Sequence, residues 1–268
     1  MRRCAAVALV LALDAGQARG QAPKIADNSF LIEEAYNQER GVVQHINNLL
    51  ALAPSPHDLL YTFTQEWPLG GMTHQLSYTL PFVFPDGGNG AVGDVLVNYR
   101  YQLVDRSRVA MSPRASLLLP TASWRAQNGN GTPGLQVSLP VSLRALRQVT
   151  VHLNAGGTLL PGARGPTGAR RDLVLTQVGA SAIGPVLLPV NAMVEFVALF
   201  AQTIDSAGAI HHSHTVILNP GVRFALNFGR LQVVPGISLP LHLESPGAPH
   251  DLFLYLSFEH PFRSTNAP

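Results

Sequence analysis

The charged residues of this 268-residue sequence are few, and eight of them recur in one kind of position. Glu66, Asp94, Arg100, Arg114, Arg144, Glu195, Arg223 and Glu259 lie on the polar side of segments that alternate apolar and polar residues, with His152 nearby. Four carboxylates and four guanidiniums turned to one enclosed side could do two things. They could line a constriction that sorts solutes by charge. They could instead pair into salt bridges that fill the space, because the planar guanidinium fork matches a carboxylate. Both readings stand at this level.

Other chemistry is thinner. His211, His212 and His214 fall in a segment expected to be a loop, and imidazoles can take zinc or copper. Only Asp205 is near in sequence to complete such a set, so a solvated loop is the preferred reading and no metal site is assigned. His57-Asp58 reads as turn chemistry. No G-x-S-x-G, P-loop or H-E-x-x-H motif occurs. Gly87 to Gly90 and Asn128 to Gly131 form turns with no helix after them, so they cradle no phosphate. The expectation is a protein without catalysis or cofactor.

The elements that position these residues follow from composition and alternation. Hydrophobic residues make up 46% of the chain and charged residues only 13%, about half the share usual in soluble domains. Lys and Arg number 18 against 16 Asp and Glu, which gives no basis for nucleic-acid binding. Cys4 is the only thiol, so disulfides and cysteine-based zinc sites are excluded. Met1-Arg2-Arg3, the apolar run Cys4 to Leu13 and Ala18-Arg19-Gly20 read as a secretory signal peptide over 1–20, cleaved after Gly20 or Ala22.

After Gly41 the sequence divides into about twelve strand-like segments separated by Gly, Pro, Asn, Asp and Ser. In 73–84, Leu76, Tyr78, Leu80, Phe82 and Phe84 share one face and Gln75, Ser77 and Thr79 the other. In 134–145, Leu135, Val137, Leu139, Val141 and Leu143 oppose Gln136, Ser138, Ser142 and Arg144. Period-two alternation of this length means strands with one apolar and one polar face. A sandwich would bury the apolar faces against each other; a membrane barrel would turn them to lipid.

Three features favour the barrel. The polar faces carry Ser, Thr, Asn and Gln more than Lys and Glu. The segments suit a tilted spanning strand of about 9–11 residues. The connections alternate between long ones, such as 120–133, and short ones, such as 146–148. The expected fold is all-β: a closed antiparallel up-and-down transmembrane barrel of about 12 strands over 41–262, with a tail at 263–268. Paired aromatics such as Tyr61 and Trp67, Tyr99 and Tyr101, and Phe253 and Tyr255 fall where interface girdles would sit.

Residues 21–40 hold the one expected helix, over Asn28 to Gln38, with Asn28 or Ser29 as cap and Glu33 and Glu34 in its first turns. Phe30, Leu31 and Tyr36 make it too apolar for free exposure, so it is expected to plug the barrel mouth or lie against its rim.

The stretches NSFLIEEAYNQERGVVQHI, YTFTQEWP, HQLSYTLPF, GDVLVNYRYQL, SPRASLLLPT, LNPGVRFALNF and LYLSFEHPF resemble a bacterial outer-membrane β-barrel family named for the meta-pathway of phenol degradation. The resemblance implies an outer-membrane transporter of small hydrophobic or aromatic compounds, without a catalytic motif. Outer-membrane lipid and a small-molecule solute are then the expected partners, with the barrel-assembly machinery engaged through the aromatic-ended last strand. The alternative is a plugged structural or binding barrel without transport.

Overall fold

The computed structural model describes residues 29–262 apart from 54–57, 146–147, 188, 246 and 248. The expected signal peptide and the tail at 263–268 lie outside the described residues. Twelve strands are present: β1 Val42–Ala51, β2 Leu59–Pro68, β3 His74–Phe84, and β4 in three pieces, Ala91–Val92, Val95–Tyr101 and Val104–Arg106. Next come β5 (Val109–Met111 and Arg114–Leu119), β6 Gly134–Arg144, β7 Thr150–Arg164, β8 Arg170–Leu187 and β9 Val190–Ile204. The set ends with β10 (Ile210–Phe224 and Leu226–Phe228), β11 (Leu231–Ser238 and Leu241–His242) and β12 Leu252–Pro261.

Each strand pairs antiparallel with its neighbours in sequence, and β12 closes on β1 from Val42↔Pro261 to Ala51↔Leu252. Closure leaves no edge strand, which is what a sheet needs when lipid can satisfy no backbone amide. Short turns such as 107–108 and 229–230 mark the periplasmic end, and longer connections such as 120–133 the outer end. The chain therefore enters β1 and leaves β12 at the periplasmic rim.

The apolar rows face out. Val97, Leu117, Leu135, Val137, Leu139, Leu153, Val178, Phe196, Leu252, Leu254 and Leu256 are exposed, while Gln75, Ser77, Asn98, Ser116, Ser138, Ser142, His152, Asn219 and Ser257 are buried. This is the inverse of a soluble protein, where a buried hydroxyl or amide is the exception. It fits a wall whose outer solvent is hydrocarbon.

Three details depart from the sequence expectation. Residues 29–40 form no helix. Phe253 and Tyr255 point inward and are 4% exposed, so they belong to the interior rather than to an interface girdle. The segments 161–171 and 204–212, which fall between strand-like segments of the sequence, carry strand at both ends, so that only 165–169 and 205–209 are turns. β7 to β10 run 15, 18, 15 and 15 residues, longer than the strands before them, and carry the sheet further toward the outer end. There the β8–β9 ladder stops at Thr176↔Phe200. Beyond that pair β8 bonds only to β7 and β9 only to β10. The Gln202 side chain bridges the parting, its Oε1 accepting the Val174 N–H at 2.8 Å.

Candidate functional site: the barrel interior and the segment inside it

Residues 29–38, just before β1, lie within the barrel. Their backbone bends at 30–32 and at Ala35 without forming a helix, and their amides find partners on the wall. Glu195 Oε1, on β9, accepts the N–H groups of Phe30, Leu31 and Ile32 at 3.0, 2.8 and 3.1 Å. The Ala35 N–H donates to Ser142 Oγ, Asn37 N–H to Gln102 Oε1 and Gln38 N–H to Gln75 Oε1, at 2.8, 2.9 and 2.7 Å. A short isolated helix is marginal in water. Here a polar wall supplies an acceptor for each of these buried amides, and a buried amide must have one. The expected cap, Ser29, bonds Ser181 Oγ instead.

The wall holds the carbonyls as well. Arg100 donates to Asn37 Oδ1, to the Glu34 carbonyl and to the Tyr36 carbonyl at 2.9, 3.1 and 2.8 Å. Gln102 Nε2 donates to the Ala35 carbonyl at 2.7 Å, and Asn154 Nδ2 to that of Glu33 at 3.1 Å. Gln38 Nε2 donates to Gln44 Oε1. Arg114 Nη2 pairs with Glu33 Oε1 at 2.5 Å and reaches Gln136, while its other nitrogens meet Asn98 and Ser138.

Apolar contacts fix the far end of the segment. The Phe30 ring lies 5.5 Å from Phe253 and 5.2 Å from Tyr255, in a cluster with Ile183, Met193 and Val234. Ile32 packs on Val197 and Ile217, and Leu31 borders both clusters. Glycines on the wall make the room. A Cβ on Gly221 or Gly236 would run into the Phe30 ring, and one on Gly179 into Ile32. Tyr36 is half-buried.

The nine residues expected on the inner face are thus distributed unevenly. Arg100, Arg114 and Glu195 hold the segment directly. Glu66 accepts from Gln75 at 2.9 Å and lies 3.8 Å from Arg100. Glu259 neighbours Gln38 and Arg223, and Arg223 is 1% exposed. His152, fully buried, meets Ser142 Oγ through Nδ1 at 2.7 Å, one step behind the Ala35 contact. Two residues do other work. Asp94 accepts from the Ala122 and Asn130 amides and from the Asn130 side chain, which ties down the 120–133 loop. Arg144 is exposed at the periplasmic end of β6, where the strand's alternation runs out.

Neutral partners were missed in the sequence: Ser142, Gln75, Gln102, Asn154 and Asn219. Alternation places them on the inner face but carries no sign that they would bind main chain. His211, His212 and His214 stand in strand β10 rather than in a loop, all exposed, with His214 3.8 Å from Glu244. Among the described residues no group of three or more His, Cys, Asp or Glu could hold a metal.

The segment does not fill the interior. Between residues 29–34 and the inner face of β1 to β5 lies a cavity of about 280 Å³. Its wall side is hydroxyl and amide (Asn48, Thr62, Thr64, Ser77, Thr79, Asn98) with Glu66, Arg100 and Arg114, and its apolar side is Phe30, Ile46 and Tyr255. Nearer the outer end the interior turns apolar, with Leu160, Ala163, Leu173 and Ile204 buried together beside Leu118 and Leu175.

No family model and no curated protein matches this chain. Solved structures do. The COG4313 outer membrane channel from Pseudomonas putida F1 superposes with a TM-score of 0.60 at 14% identity, covering 84% of this chain and 97% of that one. The NanC porin gives 0.54 at 7% identity, covering 81% and 98%. A KdgM porin in complex with disordered oligogalacturonate gives 0.52 at 8% identity, covering 83% and 99%. At such identities the likeness is one of architecture: this chain has the fold of the closed outer-membrane barrels that porins and channels use.

Proposed function

We propose that the protein is an outer-membrane channel through which small solutes pass passively, with residues 29–40 as the constriction of its lumen. One observation carries this reading: the cavity of about 280 Å³ left between the segment and the β1–β5 wall, lined by polar side chains inside a closed barrel. Glu66, Arg100 and Arg114 border it and would set its charge preference. Glu195, Arg223, Glu259 and His152 would act by holding the segment and the wall around it. No catalytic step enters this function. The resemblance to the phenol meta-pathway family supports a small hydrophobic or aromatic solute, and the aromatic-ended β12 suits recognition by the barrel-assembly machinery.

The test compares the purified full chain with a variant lacking residues 23–40, by planar-bilayer conductance and liposome swelling. A channel narrowed by this segment gives measurable flux in the full chain and larger conductance in the deletion. If both stay silent, the barrel is a sealed structural or binding protein.

A second reading concerns the exit. The parting of β8 and β9 above Thr176 and Phe200 opens a surface hollow of about 330 Å³ with Val174, Phe200 and Gln202 on its walls, near the apolar outer part of the interior. An apolar solute could leave sideways there, into lipid. Joining Val174→Cys to Gln202→Cys with a short thiol cross-linker should then reduce uptake of an apolar solute and leave ion conductance unchanged. Equal loss or retention of both would reject the sideways route.

A further inference from the structure

At the outer end of β7 and β8 the register sets Arg164 directly against Arg170, with Arg171 opposite Ala163. Like charges opposed across an antiparallel pair destabilise it. The 120–133 loop adds a third basic group at the same place. The guanidinium carbons of Arg125 and Arg164 lie 4.5 and 5.2 Å from the centre of the Trp124 ring. The loop is tied there by the Arg164 N–H, which donates to the Asn130 carbonyl at 2.9 Å. The tip of the β7–β8 hairpin passes the same ring, since a Cβ on Gly168 would sit 3.3 Å from it.

Among the described residues no carboxylate pairs with Arg125, Arg164, Arg170 or Arg171. Asp172, next to Arg171 in sequence, gives Oδ1 to the Gly162 N–H at 2.7 Å. Asp205, on the neighbouring hairpin, is turned onto the amides of Ala207 and Ala209. Arg125, Arg170 and Arg171 are exposed. Three guanidiniums gathered on one face at the outer end, Arg125, Arg164 and Arg170, call for counter-charge from outside the chain, and Arg matches phosphate oxygens two at a time. At the outer end of an outer-membrane barrel the standing phosphate source is the glycolipid of the outer leaflet.

We propose that Arg125, Arg164 and Arg170 form a binding site for the sugar phosphates of an outer-leaflet glycolipid of the lipid A type. The site rests on the outer-membrane reading and is independent of whether the barrel conducts. It also explains how the Arg164–Arg170 opposition is tolerated, because a phosphate between them turns repulsion into a bridge.

Native mass spectrometry of the full chain in detergent tests it, with lipid A, fully dephosphorylated lipid A and inorganic phosphate as ligands. Lipid A should bind at least tenfold more tightly than its dephosphorylated form. Arg164→Gln/Arg170→Gln should remove that preference while the protein keeps the heat-modifiable gel mobility of a folded barrel. If this pair does not fold, Arg125→Gln serves in its place. Equal binding of the two lipids, or a folded variant that keeps the preference, overturns the site. Inorganic phosphate that binds alone and displaces lipid A at similar concentration would make it a free-anion site and overturn the lipid assignment. Release from membranes by high salt without detergent would instead refute the membrane reading beneath it.

Discussion

The carboxylate of Glu195 accepts the main-chain N–H of Leu31 at 2.8 Å, 164 residues away in sequence, and the same oxygen takes the amides of Phe30 and Ile32. Its other oxygen accepts from Asn219 at 2.6 Å, so β9 and β10 hold the segment jointly. Glu195→Ala strands three buried amides, each worth about 1–3 kcal/mol when left without a partner. The segment should then leave the lumen for a large share of the time. Single-channel conductance should rise severalfold, and residues 29–40 should become cleavable by added protease. Glu195→Gln, which keeps an acceptor oxygen, should fall between. Unchanged conductance and protection in Glu195→Ala would show that this carboxylate does not hold the segment.

Gly236 offers a steric test of the same contact. A Cβ there meets the Phe30 ring on one side and Arg223 on the other. Gly236→Val should therefore expel Phe30 and raise conductance, whereas Phe30→Ala should restore a seated segment in the double variant at some loss of stability. A Gly236→Val barrel with native conductance would place the socket outside the gate.

Ser29 and Ser181 bring their hydroxyls to 2.5 Å across the interior. Replacing both by cysteine should give a disulfide that locks the segment to β8, in a chain whose one native thiol, Cys4, lies in the expected signal peptide. Oxidised protein should conduct at or below the native level, and a reductant should return it to that level. If added oxidant never cross-links the pair, the segment spends little time in this position.

Arg114 and Glu33 form the 2.5 Å ion pair on the border of the cavity. Arg114→Gln removes the positive partner and frees the carboxylate, so the reversal potential in a potassium chloride gradient should move toward cation selectivity. Ions that take the cavity must feel this change. A reversal potential equal to that of the native protein would mean that current flows elsewhere.

Much of this architecture was legible in the chain itself. Alternation such as Leu135, Val137 and Leu139 against Gln136 and Ser138 specifies both the strand and the side that meets lipid. With residues spaced two apart on each face, the register of one strand settles the exposure of every side chain on it. Inward placement of Arg100, Arg114 and Glu195 follows from the same count. Asp94 keeps the phase of Asn98 and Arg100 and is buried, but its partners in the 120–133 loop leave no mark in the alternation, and Arg144 is exposed because its strand ends there.

Residues 29–40 mark the boundary between the two kinds of information. Their local signals, a capping residue and early acids before apolar positions, favour a helix, and those signals lie within a few neighbours. The acceptors that win instead, on Glu195, Ser142, Gln102 and Gln75, come from 37 to 165 residues away. They exist as a set only once the sheet has closed. The sequence alone determined which faces are greasy and which are polar, because hydration acts on each side chain separately. What occupies the polar interior was decided by the tertiary structure, because satisfying a buried amide takes a partner that only the assembled wall can bring.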